Sequence, residues 1–198
     1  MIKRLFDLII LFIALPIIVP VMMVLTAFVF LTMDSPIFFQ QTRAGFRGRP
    51  FKLVKFRTMN DRRDTQGALL PDAERLTRVG IFLRSTSLDE LPELWNILRG
   101  EMSLVGPRPL LLSYLPRYSE KQMRRHDAKP GLTGWVQVNG RNSLNWNEKF
   151  ELDIWYVDNQ NLILDIRILL STISQVMARR DISANNDATM PEFLGNDQ

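Results

Sequence analysis

Two adjacent carboxylates, Asp89 and Glu90, stand in the stretch RSTSLDELPELWNILRG, residues 84–100. Acids placed there have two readings. In the first they begin a helix. Ser87 with Glu90 three residues on makes an S-x-x-E capping box, acids in a first turn suit the helix dipole, and Pro92 fits a helix beginning. In the second they do chemistry. Arg84 precedes the pair, Arg99 closes the segment, and GPRP (residues 106–109) presents Arg108 from a turn that its prolines stiffen. Guanidinium forks match phosphate geometry, and a helix start offers unpaired N–H groups to anions. A carboxylate in that field stays ionised and can ligate Mg²⁺ or attack phosphorus. Neighbours on a helix point about 100° apart, so the two acids suit different roles.

Composition narrows the chemistry further. The chain has 198 residues, no cysteine and one histidine, His126. Thiolate nucleophiles, disulfides and cysteine-held zinc are therefore excluded, as are His-paired metal motifs. A metal would be held by oxygen, which favours Mg²⁺ or Mn²⁺. His126 lies in RRHD and reads as a solvated residue in a charged run.

The elements that must position these groups begin in a membrane. From Leu8 to Met33 no residue is charged. As one straight helix that run would measure roughly 39 Å, longer than the ~30 Å hydrocarbon core. Pro16 and Pro20 lie inside it, and basic residues flank both ends: Lys3 and Arg4 before, and Arg43, Arg47, Arg49, Lys52, Lys55 and Arg57 after. The positive-inside bias holds both ends on the cytoplasmic face, which favours a helix broken near Pro20 that re-enters over a single span. Asp7 at the entrance would pair with Lys3 or Arg4, or face the headgroups. Residues 35–64 carry eight Lys/Arg against two acids. Beside a membrane segment that block means contact with anionic lipid or an anionic substrate; no nucleic-acid motif accompanies it.

Beyond the membrane segment the pattern is mainly helical with a small β element. FFQQTRAGFRGRPFKLVKFRTM reads as a hairpin around residues 44–50. Helical spacing marks 71–85, 88–99, a stretch near 110–127, 147–158 and an amphipathic 162–180; KPGLTGWVQVNGR (129–141) reads as a loop with extended character. This divides the chain into a membrane-embedded part (1–34), a mainly helical domain (35–180) whose segment 162–180 fits a surface-lying helix or a buried core helix, and a polar, poorly ordered tail (181–198).

In order and combination, KRLFDLIILF, the proline-bearing apolar segment, FFQQTRAGFRGRPFKLVKFRTM, RSTSLDELPELWNILRGEMSLVGPRPLL and KPGLTGWVQVNGR resemble the bacterial sugar transferase family, the monotopic polyprenyl-phosphate phosphoglycosyl transferases, in its short catalytic-domain-only form. The resemblance implies a re-entrant helix with its membrane break at Pro16 and Pro20, joined to a catalytic domain (35–180) with interfacial helices that rests on the membrane surface. One departure is Val19-Pro20, where the family's break is often Ser-Pro. It implies transfer of a phosphosugar from a UDP-sugar, an amino- or acetamido-sugar by the nearest likeness, to polyprenyl (undecaprenyl) phosphate. UMP would leave, through a covalent intermediate on Asp89. Mg²⁺ would be held by Asp89 and Glu90, with Glu90 as base or metal partner. Lys55, Arg84, Arg108 and Arg141 would contact the anionic substrate. The implied location is the bacterial inner membrane, with the catalytic domain on the cytoplasmic face. A non-catalytic lipid-binding or scaffold protein of the same fold is the alternative.

Overall fold

A computed structural model of the chain describes residues 2–33, 35–140, 143–178 and 192–195. Helix α1 (Ile2–Met33) is one helical run with Pro16 and Pro20 inside it. The loss of helix expected at Pro20 does not occur: each proline removes one backbone donor, and bonding resumes on either side. Both ends of α1 are fastened to the rest of the chain. Lys3 pairs with Asp165, Arg4 donates to the carbonyls of Ile97 and Leu98, and Asp7 accepts from Ser103 Oγ at 2.8 Å and the Leu104 N–H at 3.3 Å. Asp7 is thus buried in the domain instead of pairing with Arg4 or facing headgroups. Farther along, Leu25 and Val29 pack with Phe56 and Leu83. Ile9, Ile13, Ile17, Val24 and Leu31 point outward with nothing covering them.

The hairpin forms as its alternation predicts. Strands β1 (Phe38–Ala44) and β2 (Pro50–Phe56) run antiparallel, in register from Phe38 opposite Phe56 to Ala44 opposite Pro50. The helix expected over 71–85 is two pieces, α2 (Asp72–Arg75) and α3 (Arg78–Ser85). Thr77 leaves helical geometry between them and caps α3, its hydroxyl accepting from the Gly80 N–H at 2.9 Å.

The helix expected over 88–99 is also divided. Leu88–Glu90 is a 3₁₀ turn, and α4 (Glu93–Arg99) starts only after Pro92. Proline has no N–H to continue the first turn, so the regular helix begins behind it. Ser87 sits at φ 56° and caps nothing, which removes the capping box read from the sequence. Gly100, at φ 79°, ends α4 as expected.

Strand β3 (Ser103–Val105) follows, and then the stretch near 110–127. It is not one helix. A 3₁₀ segment (Leu112–Arg117) carries Pro116; α5 (Glu120–Met123) opens on a Ser119–Gln122 capping box; a second 3₁₀ turn covers Arg124–Asp127. Strand β4 (Gly131–Thr133) pairs in parallel with β3, and α6 (Trp135–Val138) leads to α7 (Trp146–Asn159) and α8 (Leu162–Ala178). The expected end of α8 at 180 lies outside the described residues.

The main core gathers Ile97, Met102, Val105, Tyr156 and Ile168 with Leu11 of α1. α8 buries Leu164, Asp165 and Ile168 and exposes Ile163, Ile166, Leu170 and Ile173, the two-faced pattern of a helix lying at an apolar boundary. A second, aromatic core joins Tyr114 and Phe150 to Phe193. The tail is therefore not wholly loose: Glu192–Gly195 is described, with Phe193 buried, while 179–191 and 196–198 lie outside the described residues. The fold is mainly α with a small β element, and its long apolar N-terminal helix is a candidate membrane segment.

Candidate active site

Asp89 sits in the 3₁₀ turn between α3 and α4, 8% exposed. Its neighbour Glu90 holds two cations on one oxygen: Oε1 accepts from Lys55 Nζ at 2.7 Å and from Arg108 Nη2 at 2.6 Å. Lys55 comes from β2 and is also 3.1 Å from Oε1 of Glu93, the first residue of α4. Arg84, near the end of α3, donates Nε to Thr58 Oγ1 at 3.1 Å, and its charge acts on Asp89. Arg108 is half exposed and stands between Glu90 and solvent.

Two loops sewn together hold Arg108 in place. The Gly106 N–H donates to the Thr133 carbonyl and the Gly131 N–H to the Pro107 carbonyl. The approach is so close that a Cβ on Gly131 would lie 2.0 Å from the Gly106 nitrogen. Arg125 donates to the Arg108 carbonyl at 2.7 Å, and a buried ion pair with Asp153 of α7 fixes Arg125 in turn. The GPRP and PGLTG stretches thus act as one unit that aims a guanidinium at Glu90.

Burial and charge then set the protonation of each acid. Burial, reinforced by the charge of Glu90, raises Asp89 above the usual aspartate value against the pull of Lys55, Arg108 and Arg84. Desolvation is thus the larger effect on Asp89, and the surrounding cations oppose it. Glu90 is the reverse case. Burial pushes it up, but Arg108 and Lys55 hold it well below the usual carboxylate range. Glu93 is pushed up to about 7, by burial first and by Glu90 next.

Residues 1–179 match the family described as bacterial sugar transferase. The chain belongs to the bacterial sugar transferase family. It is 52% identical over 193 residues to an uncharacterized sugar transferase, EpsL, of Bacillus subtilis, covering 98% of this chain and 96% of that one. It is 41% identical to the UDP-galactose-lipid carrier transferase of Erwinia amylovora and 40% identical to the UDP-glucose:undecaprenyl-phosphate glucose-1-phosphate transferase of Klebsiella pneumoniae. Those matches cover 89% and 86% of this chain but only 40% and 39% of the two longer relatives.

Of the site residues expected in this sugar transferase, the structure brings Asp89, Glu90, Lys55, Arg84 and Arg108 together; Arg141 lies outside the described residues. Two more were missed. A cavity of about 50 Å³ beside Glu90 is lined by Arg43, Lys55, Glu93 and Arg108, over Leu53 and Leu110. Glu93 was legible as the third acid in LDELPE, one turn from Asp89 and Glu90. Arg43 was legible from the hairpin: it stands opposite Phe51, on the sheet face that also carries Lys55. The histidine reading is corrected. His126 is buried, with Nδ1 3.0 Å from the Gly45 carbonyl, and burial pushes it down to about 4. It is a neutral core residue.

The donor set suits Mg²⁺ held largely by a substrate. Among the described residues no three acids or histidines cluster to hold a metal alone. None of the described side chains donates to Asp89, and the two cations on Glu90 both use Oε1. One or two free carboxylate oxygens plus substrate phosphates and water is the ligation Mg²⁺ accepts.

Proposed function

We propose that this sugar transferase moves a phosphosugar from a UDP-sugar to polyprenyl (undecaprenyl) phosphate at the cytoplasmic face of the bacterial inner membrane, releasing UMP. The observation that carries the reading is the buried Asp89 beside a Glu90 that already gathers Lys55 and Arg108. The relatives named for UDP-glucose, UDP-galactose and undecaprenyl phosphate support the same substrate classes.

The chemistry follows from those groups. An Asp89 carboxylate oxygen attacks the β-phosphorus of the UDP-sugar; the bond from that phosphorus to the bridging oxygen breaks, and UMP leaves with the electron pair. The phosphosugar is then an acyl phosphate on Asp89. An oxygen of the polyprenyl phosphate attacks the same phosphorus and frees Asp89, giving a polyprenyl-diphosphate-linked sugar. Lys55 and Arg108, held on Glu90, stabilise charge on the diphosphate as it shifts. Glu90 stays ionised, which makes it a poor base and a good anchor for those cations. When bound, Mg²⁺ would be held by Asp89 and Glu90 and would supply further neutralisation of the diphosphate charge.

The membrane arrangement fits an acceptor whose phosphate lies at headgroup level. Both ends of α1 rest on the same domain while its outer face is apolar and uncovered, which supports entry and exit on one side. Lys3, Arg4 and the basic block of residues 35–64 favour the cytoplasmic side. A scaffold or lipid-binding role would give no use to Lys55 and Arg108 sharing one oxygen of Glu90 beside the buried Asp89.

UMP release is the test, measured with polyprenyl phosphate, Mg²⁺ and a panel of UDP-glucose, UDP-galactose and UDP-N-acetyl sugars. The panel decides between the hexoses of the named relatives and the amino- or acetamido-sugar expectation. Asp89→Asn is expected to lose nearly all turnover; a variant within about tenfold of wild type would sink the nucleophile assignment.

A further inference from the structure

The segment Glu192–Gly195 is docked, and what it docks between is informative. Phe193 is 2% exposed. Its ring meets Tyr114 at 5.7 Å, Trp146 at 5.7 Å and Phe150 at 5.0 Å between centroids. Its N–H donates to the Tyr114 hydroxyl at 3.1 Å, and its carbonyl accepts from Arg117, which also pairs with Glu192 at 2.8 Å. Both backbone groups of Phe193 are thus satisfied, as burial requires.

Each wall of this pocket leads to Arg108. On one side Tyr114 is bonded back to the Leu111 carbonyl, Leu111 bridges to Arg43, and Leu110 accepts from the Ala44 N–H. Leu110, Arg43 and Arg108 line the cavity beside Glu90. On the other side Trp146 and Phe150 belong to α7, whose Asp153 holds Arg125, and Arg125 donates to the Arg108 carbonyl. We propose that Phe193 is a positioning residue for the transfer reaction, a wedge between the Leu110–Tyr114 stretch and α7 that fixes how Arg108 meets the substrate diphosphate. This rests on the reading of Arg108 as a diphosphate contact.

A double-mutant cycle on UMP release tests the wedge. Phe193→Ala is expected to lower kcat/KM about tenfold in the wild-type background and less than about twofold in an Arg108→Lys background. Phe193→Tyr, which keeps the ring, is expected to restore most of the loss. Should Phe193→Ala lose its cooperative thermal transition, Arg117→Gln releases Glu192 and the Phe193 carbonyl without emptying the aromatic pocket; the same dependence on Arg108 is expected from it. Equal losses in both backgrounds, or no loss in either, would overturn the wedge while leaving Arg108 in the site. Full activity of Arg108→Lys and Arg108→Ala together would overturn the reading of Arg108 and the wedge with it.

Discussion

Glu93 shows how far a single buried carboxyl can shape this site. It is 3% exposed, shares Lys55 with Glu90, and is pushed from 4.5 up to about 7. Between those values the folded chain binds more protons than the unfolded one. Its contribution is therefore fully present below 4.5 and lost as pH rises through about 7. Glu93→Gln is expected to raise the Tm relative to wild type at about pH 8, with the gain shrinking toward pH 5; parallel melting curves across that range would refute the raised value. The three acids of the site illustrate what residue types alone could and could not say. That Asp89 and Glu90 lie among arginines was legible in RSTSLDELPE and GPRP. Their opposite shifts were not, because these depend on which carboxyl has an oxygen against Arg108 and Lys55 and for which one burial outweighs the same cations.

At the scale of elements, periodicity located the apolar stretches but overstated their continuity. Residues 71–85 and 88–99 carry unbroken helical spacing, yet Thr77 and Pro92 divide them, because a side-chain cap and a missing N–H act at one residue and leave the spacing untouched. The division at Pro92 leaves Asp89 in a tight 3₁₀ turn ahead of α4. The Ser87 cap failed for a related reason, since a residue at φ 56° cannot aim its hydroxyl at the turn that follows. KPGLTGWVQVNGR reads as a loop with extended character, which β4 bears out, but its pairing with β3 is a contact between stretches nearly thirty residues apart that no local pattern encodes. Gly131→Ala probes that pairing directly. With a Cβ 2.0 Å from the Gly106 nitrogen and 2.3 Å from the Thr133 carbonyl oxygen, it is expected to destabilise by about 2–3 kcal/mol in denaturant unfolding. An unchanged midpoint would show that the two loops can part without cost.

For the molecule as a whole, the membrane disposition makes the plainest forecast. Tags at both termini are expected to be reached by impermeant reagents only from the cytoplasmic side, and labelling of the N-terminus from outside would refute re-entry. The mostly helical domain with an apolar leading segment was legible because composition and period are whole-chain properties. The anchoring of that segment was not, since Lys3 and Asp7 find Asp165 and Ser103, 162 and 96 residues away. Those separations bear on how the protein is made. The ribosome delivers α1 first, at about 5–20 residues per second, so Lys3 waits roughly 8–32 s for its counter-ion to be synthesised. Ser103 reaches Asp7 after 96 residues, but Lys3 carries its ammonium without Asp165 for the whole interval, in a helix already drawn to lipid. The anchoring of α1 by Lys3 is therefore complete only once α8 has been made, and at the headgroup layer water can stand in for Asp165 until then.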